Sequence, residues 1–224
     1  MNKEIKEKFK DNFDIALNGG ASLLGDCLSN VLLAHVAPGI VTTYLSYKQK
    51  RTEKMIMSTL DEFKDRINKI EEQLKNMEGN EFDFVKNTAF PIMADFIIDE
   101  PQEEKIKFIV NGIESIVTYR ITDEDLILTY FDVLHDLRVI DIKELLDINN
   151  FKSESNQVYV SSSQINESEA VRKHIYKKLE KYDLILVTRL IGEVEGDEFT
   201  ISKNRAKISS FGKNFIRFIT KLDD

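Results

Sequence analysis

The chain contains few of the residues that stiffen or interrupt a backbone, and almost no cysteine. Its 224 residues include one cysteine, three prolines, nine glycines and no tryptophan. The single Cys27 cannot form an internal disulfide, and the first residues lack the apolar core and cleavage site of a secretory signal. We therefore expect a cytoplasmic protein. The scarcity of proline and glycine leaves long stretches free to form helices.

Positive charge is also scarce. The formal net charge is −8, and 42% hydrophobic beside 31% charged residues is enough to form a core. Proteins that coat nucleic acid depend on Lys and Arg to neutralise phosphates, so this class is disfavoured. The balance is uneven, with 18 basic and 28 acidic residues over 1–151, against 13 and 11 over 152–224. The second region is therefore a compositionally different unit.

An uncharged stretch near the start allows two interpretations. Residues 27–47 carry no formal charge and end against the basic run at 48–51. That length can span a bilayer. However, the segment is only moderately apolar. The residues that reduce its apolarity are Asp26 at its flank and Asn30, His35 and Pro38 within it. We expect either a buried helical hairpin broken near Pro38 or membrane association through residues 23–47.

The clearest pattern in the chain is a heptad repeat. Seven apolar residues alternate at spacings of four and three, which predicts a coiled-coil-like helix that assembles a homo-oligomer. These residues are Ile56, Leu60, Phe63, Ile67, Ile70, Leu74 and Met77. Three heptads are close to the minimum for an independent coiled coil, so the alternative is a helix that packs this stripe on its own domain. Gly79 and Asn80 are expected to end the helix.

No arrangement of residues predicts a catalytic centre. The chain has neither a GxxxxGK[ST] nor a GxGxxG phosphate loop. Its serine cluster at 161–163 lies in a polar stretch, and Cys27 lies in the apolar one. Asp132, His135 and Asp136 lie at i, i+3 and i+4 on one helix face and could bind a metal. We interpret them instead as solvent-exposed surface residues. We predict no enzyme, cofactor or metal.

The last part of the chain changes from helix to mixed structure. A basic helix over 168–181 is followed by an alternating stretch, an acidic turn at 193–198, a second alternating stretch and a helix over 211–222. Two pieces resemble the end of a winged-helix domain, LEKYDLILVTRLIG and ISSFGKNFIRFI. The candidate nucleic-acid or partner contacts are Arg172, Lys173, Lys177, Lys178, Lys203, Arg205 and Lys207. Because the acidic turn would repel phosphate, a protein partner is favoured and nucleic acid disfavoured.

These patterns predict a mainly α fold: a helical bundle with a coiled-coil-like helix, plus a small C-terminal α+β winged-helix-like domain. We divide the chain into five parts: an apolar helical segment rich in small residues (1–51), the heptad helix (52–78), a helical bundle (79–151), a polar serine-rich linker (152–167) and the winged-helix-like domain (168–224). The linker is predicted from its composition.

The order of these parts resembles bacterial abortive-infection proteins, including the abortive-infection alpha family. The most suggestive stretch is EEKIKFIVNGIES, residues 103–115. The resemblance implies a non-enzymatic anti-phage effector or sensor that self-associates and acts through an unknown protein partner or a membrane. The alternative is a dimeric winged-helix transcriptional regulator, with the heptad seam placing two domains on two DNA half-sites.

Overall fold

A computed structural model describes residues 51, 54–55, 58–59, 61–63, 66–151, 167–188 and 205–221. These residues are mainly helical, with one small two-stranded sheet, so the mainly α prediction is confirmed. They fall into two compact units. The N-terminal unit holds the described residues up to Asp136 together with those from Arg217 onward, and the C-terminal unit is Leu137–Ile216.

The N-terminal unit is built from helices. Residues 51, 54–55, 58–59 and 61–63 are helical. They are followed by α1 (Ile67–Lys75), α2 (Gly79–Phe84), a π-helical turn (Val85–Ala89), α3 (Phe90–Asp99), a 3-10 turn (Glu103–Lys105), α4 (Ile106–Tyr119) and α5 (Glu124–Asp136). The π-helical turn lies just before Pro91, which has no N–H to donate to the preceding turn.

The heptad helix ends one turn earlier than the sequence predicted. Helix α1 stops at Lys75, and Gly79 opens α2. The cause is the start of α2, where the Glu78 N–H donates to Glu81 Oε2 at 3.2 Å. This side-chain acceptor satisfies a backbone group that a continuing helix would otherwise bond.

Three seam residues are buried inside a single chain. Phe63 and Ile70 are fully buried and Leu74 nearly so, and α1 packs against α4. Met77 is half-buried. Ile56, Leu60 and the side chain of Ile67 lie outside what the structure describes. The described seam therefore packs as the alternative interpretation expects, and assembly through it stays a prediction.

Helix α4 is the centre of the N-terminal unit, because nearly every side chain from Ile106 to Val117 is buried. Four of its neighbours are α1, α3, the π-helical turn and the 3-10 turn. The helix ends at Tyr119, and the next residue, Arg120, adopts the left-handed conformation at φ 53°.

The C-terminal unit combines helices with a hairpin. Its elements are α6 (Val139–Asn150), α7 (Glu167–Lys181), β1 (Ile185–Val187), β2 (Ala206–Ile208) and α8 (Ser210–Ile219). The strands are antiparallel, with Leu186 opposite Lys207. The predicted basic helix and closing helix appear as α7 and α8, although α8 ends at Ile219 and the expected helix continues to 222. The described parts of the two alternating stretches contain β1 and β2.

The start of α8 fits tightly against the residue before β1. A Cβ on Gly212 would lie 2.0 Å from the Leu184 carbonyl oxygen, so only glycine fits there. Ser209 caps the helix, since its Oγ accepts the Gly212 N–H at 2.8 Å and donates to the Asp183 carbonyl. The boundary between the two units falls within this helix, between Ile216 and Arg217.

Among the described residues, no helix combines the length and the apolarity needed to cross a bilayer. The segment at 23–47, for which we expect either a buried hairpin or membrane association, lies outside the described residues, as do Cys27 and His35.

Candidate interaction surface

Two of the predicted contact residues are held by acidic side chains of their own unit. The Arg172 guanidinium lies 3.1 Å from Glu144 Oε1, and the Tyr176 hydroxyl donates to the same oxygen at 3.1 Å. The Lys178 ammonium lies 2.7 Å from Asp141 Oδ2. Since Asp141 and Glu144 belong to α6 and the other three residues to α7, these contacts join the two helices.

Asp141 of α6 and Tyr176 of α7 each have a further feature beyond the contact between the two helices. The Asp141 carboxylate also accepts the Arg138 N–H at 2.8 Å, which caps the start of α6. Burial raises the pKa of the Tyr176 phenol to about 12, so Tyr176 stays a neutral hydrogen-bond donor to Glu144 at neutral pH. Sequence reasoning missed Asp141, Glu144 and Tyr176, because their partners lie 28 to 37 residues away in the chain.

The remaining predicted contact residues differ in exposure. Lys177 and Lys207 are exposed, and neither forms an ion pair with a described residue. Lys173 and Arg205 are half-buried and interact within the chain. Lys203 lies outside the described residues, as does the acidic turn at 193–198.

Apolar side chains are exposed on the same unit. Leu186 has 60% of its surface exposed, beside Lys207 on the outer face of the hairpin, and Val171 of α7 has 45% exposed. Leu186 and Val171 offer apolar area that a partner protein would cover, and the exposed lysines offer positive charge. We call these four exposed residues of the C-terminal unit, Val171, Lys177, Leu186 and Lys207, the basic-apolar surface.

A second polar cluster lies in the N-terminal unit and explains much of the 103–115 stretch. The Asn111 amide donates to the Ile219 carbonyl at 2.6 Å, and the Ser115 hydroxyl donates to the Phe218 carbonyl at 3.1 Å. Helix ends leave such carbonyls without partners, so α4 supplies the missing donors for the last turn of α8. Between them, Gly112 faces the ring of Phe218.

The same cluster continues to the heptad helix. Arg66 donates to the Asn111 side-chain oxygen and lies 3.1 Å from Glu114 Oε2. Lys69 lies 3.5 Å from the other Glu114 oxygen. Because Glu114 is buried and paired with two cations, the cluster is satisfied as an internal packing contact.

A buried ion pair occupies the turn between α3 and α4. Lys105 and Glu100 are each 1% exposed, and their charged atoms lie 2.5 Å apart. The Lys105 ammonium also donates to the His135 carbonyl at 2.9 Å, and the Arg51 guanidinium donates to the Glu100 carbonyl at 2.6 Å. These contacts hold the turn in place.

The side chains considered as metal ligands are all on the surface. Asp132, His135 and Asp136 are exposed, and the His135 ring lies edge-on to Phe96 at 5.8 Å. Within the described ranges, no three His, Cys, Asp or Glu residues are grouped to hold a metal ion.

Comparisons of the chain with protein-family models, with curated proteins and with solved structures give no match.

Proposed function

We propose that the protein is a non-enzymatic bacterial anti-phage effector or sensor that self-associates and acts through contact with a protein partner. The observation that carries this proposal is the basic-apolar surface of the C-terminal unit. Asp141 and Glu144 are used within the unit, while Lys177 and Lys207 remain exposed and without a described ion-pair partner.

The positive charge and the apolar area of this surface fit a partner protein that presents acidic side chains. Leu186 and Val171 supply apolar area that is covered on binding, and lysines attract an acidic partner and fix its orientation. The anti-phage context rests on the resemblance of residues 103–115 and of the order of segments. The internal contacts of Asn111, Glu114 and Ser115 support a packing role for that stretch.

The test is phage protection in cells that express charge-reversed variants. Replacing Lys177 and Lys207 with Glu should abolish protection, because both changes repel an acidic partner. The matched control is Lys86→Glu with Lys107→Glu, two exposed lysines of the N-terminal unit, which should protect like the wild type. Circular dichroism establishes that all variants fold. Full protection by the Lys177 and Lys207 variant would contradict the proposal.

The second candidate is a dimeric winged-helix DNA-binding regulator, which is favoured by the exposed lysines on α7 and β2. The acidic residues at 193–198 and the net charge of −8 oppose it. We expect no consensus site in a selection from random duplexes at physiological salt. Recovery of a consensus, with binding lost in the Lys177→Glu and Lys207→Glu variant, would favour the regulator.

Membrane association through residues 23–47 forms a separate part of the proposal. Its support is the uncharged stretch at 27–47 next to basic residues. Fractionation decides it, since an integral segment requires detergent for release and a peripheral contact is released by a salt wash. Protein found only in the cytosolic fraction would remove this part and leave the protein interaction.

A further inference from the structure

Helix α7 presents a continuous exposed face. Six of its exposed side chains recur at spacings of three and four residues, so they lie within an arc of roughly 120° along one side of the helix. They are Glu167, Ala170, Val171, His174, Lys177 and Lys181. The other side of α7 is buried through Ile175, Tyr176 and Leu179. We call the six exposed side chains the α7 face.

Charge changes sign along this face. Glu167 lies at its start, the apolar Ala170 and Val171 follow, and Lys177 and Lys181 lie towards its end. In the described part of the chain, none of these three charged residues forms an ion pair. Because one end is negative and the other positive, the α7 face is complementary to an antiparallel copy of itself.

We propose that a second copy of the chain docks on the α7 face, with the two α7 helices antiparallel about a two-fold axis at His174. The inference rests on the proposed self-association and assigns it a surface. Glu167 and Lys181 lie at equal distances in the chain on either side of His174. A two-fold axis there places Glu167 of each copy opposite Lys181 of the other, which forms two symmetric ion pairs.

The same register covers the apolar side chains of the face. Ala170 and Val171 stand level with Lys177 and Lys178 of the second copy. Lysine packs its aliphatic stem on apolar surface while its ammonium stays in water. The Lys178 ammonium is already held by Asp141 at 2.7 Å. Each copy thus covers Val171, which is 45% exposed in the single chain.

The charge pattern favours a second copy over other occupants. Nucleic acid would place phosphate against Glu167, and the net charge of −8 also opposes it. A protein that is acidic along its whole contact would attract Lys177 and Lys181 but repel Glu167. Only an antiparallel second copy matches both ends of the face. Leu186 and Lys207, on the hairpin, then remain for the acidic partner.

The contact is small, which sets its strength. Helix α7 has 15 residues, so it is about 22 Å long. One helix pair of this length buries less than the roughly 1,200 Å² of a standard interface. We therefore expect a dissociation constant on the order of 100 µM, which rises with added salt because the ion pairs at the two ends are solvent-exposed.

A charge swap on the full chain tests the pairing by sedimentation velocity between about 10 and 500 µM, at about pH 8, where histidine is neutral. Wild type should associate. Glu167→Lys and Lys181→Glu should each weaken association roughly fivefold, because each places like charges opposite one another at both ends. Combining them should restore association to about the wild-type level, since the two changes meet across the axis.

The matched control is Glu167→Lys with Lys207→Glu. It has the same net charge as the combined swap, but Lys207 lies on β2 and not on the α7 face, so association should stay weak. Circular dichroism establishes that all variants fold. A monomeric wild type at the highest concentration overturns the inference, and so does a combined swap that associates no better than this control.

Cysteine crosslinking gives a second measurement of the register. In a Cys27→Ser background, His174→Cys places two thiols across the axis, where Cα atoms of packed helices are roughly 5 Å apart, a separation that suits a disulfide. The control is Leu186→Cys, a side chain 60% exposed on the hairpin. His174→Cys should crosslink at least tenfold faster under mild oxidation, and equal rates would contradict the register.

The inference and the proposed function fail in different measurements. Protection lost in the Lys177→Glu and Lys207→Glu variant, beside a monomeric wild type, would retain the partner contact and overturn pairing through α7. Association restored by the combined swap, beside full protection by that variant, would retain the pairing and contradict the partner contact.

Discussion

Gly112→Ala tests whether the 103–115 stretch forms a close contact with the end of α8. An added Cβ would lie 2.7 and 2.8 Å from two ring atoms of Phe218 and 3.2 Å from one of Phe131. The Phe218 ring has little room to move, because it packs on Tyr130 and Phe131 with centroids 4.7 and 5.3 Å away. Its backbone is also held by Ser115.

Two opposing effects decide the sign of this change. Ala in place of Gly within a helix favours folding by about 1 kcal/mol. Overpacking a filled core costs about 1–3 kcal/mol, and shifting Phe218 also weakens the Ser115 hydrogen bond, worth about 1 kcal/mol. The free energy of unfolding should therefore fall by about 1–3 kcal/mol, which lowers the melting temperature by roughly 2–12 °C.

Urea denaturation followed by circular dichroism measures this difference. Gly79→Ala is the control, because nothing lies within 4 Å of a Cβ there, and its stability should rise by up to about 1 kcal/mol through helix propensity alone. Phe218→Leu provides the double-mutant cycle, since a smaller side chain should remove most of the penalty of Gly112→Ala. If Gly112→Ala stabilises the protein by about 1 kcal/mol, the close contact is refuted.

Three further predictions concern the other polar clusters. Lys105→Met should destabilise by about 3–5 kcal/mol in urea denaturation, since it leaves Glu100 buried and unpaired, and adding Glu100→Gln should recover part of this. The wild type should lose stability between pH 10 and about 12, because the raised pKa of Tyr176 favours the protonated folded form, and Tyr176→Phe should lose less over that window. Asn111→Ala should cost about 1–3 kcal/mol, by leaving the Ile219 carbonyl without its donor.

The local features of the fold could be predicted from the sequence. The basic helix predicted over 168–181 appears as Glu167–Lys181, and the two alternating stretches contain β1 and β2. Hydrophobic periodicity and β-branched residues indicate such elements, because a helix or strand depends on residues at neighbouring positions in the chain. The heptad helix ends three residues before its predicted end, since Gly79 is equally suited to opening a helix whose N-cap residue is Glu78.

The contacts that define the candidate surface could not be predicted in this way. Seven basic residues were equivalent in the sequence, yet Arg172 and Lys178 are held by α6 while Lys177 is exposed. These pairings depend on how α6 packs against α7. The paired residues lie far apart in the chain, and a pattern of neighbouring residues does not predict such packing. The exposure of Leu186 is equally a tertiary property, because alternation fixes that Leu186 and Ile185 point to opposite faces but leaves open which face is buried.

The heptad seam bears directly on where self-association can occur. The argument for assembly through residues 56–77 was that an apolar stripe would otherwise stay exposed. Phe63, Ile70 and Leu74 are buried in the single chain, so at these positions the stripe is already covered. Assembly through them would require α1 to leave α4 and to expose the Arg66 and Glu114 ion pair.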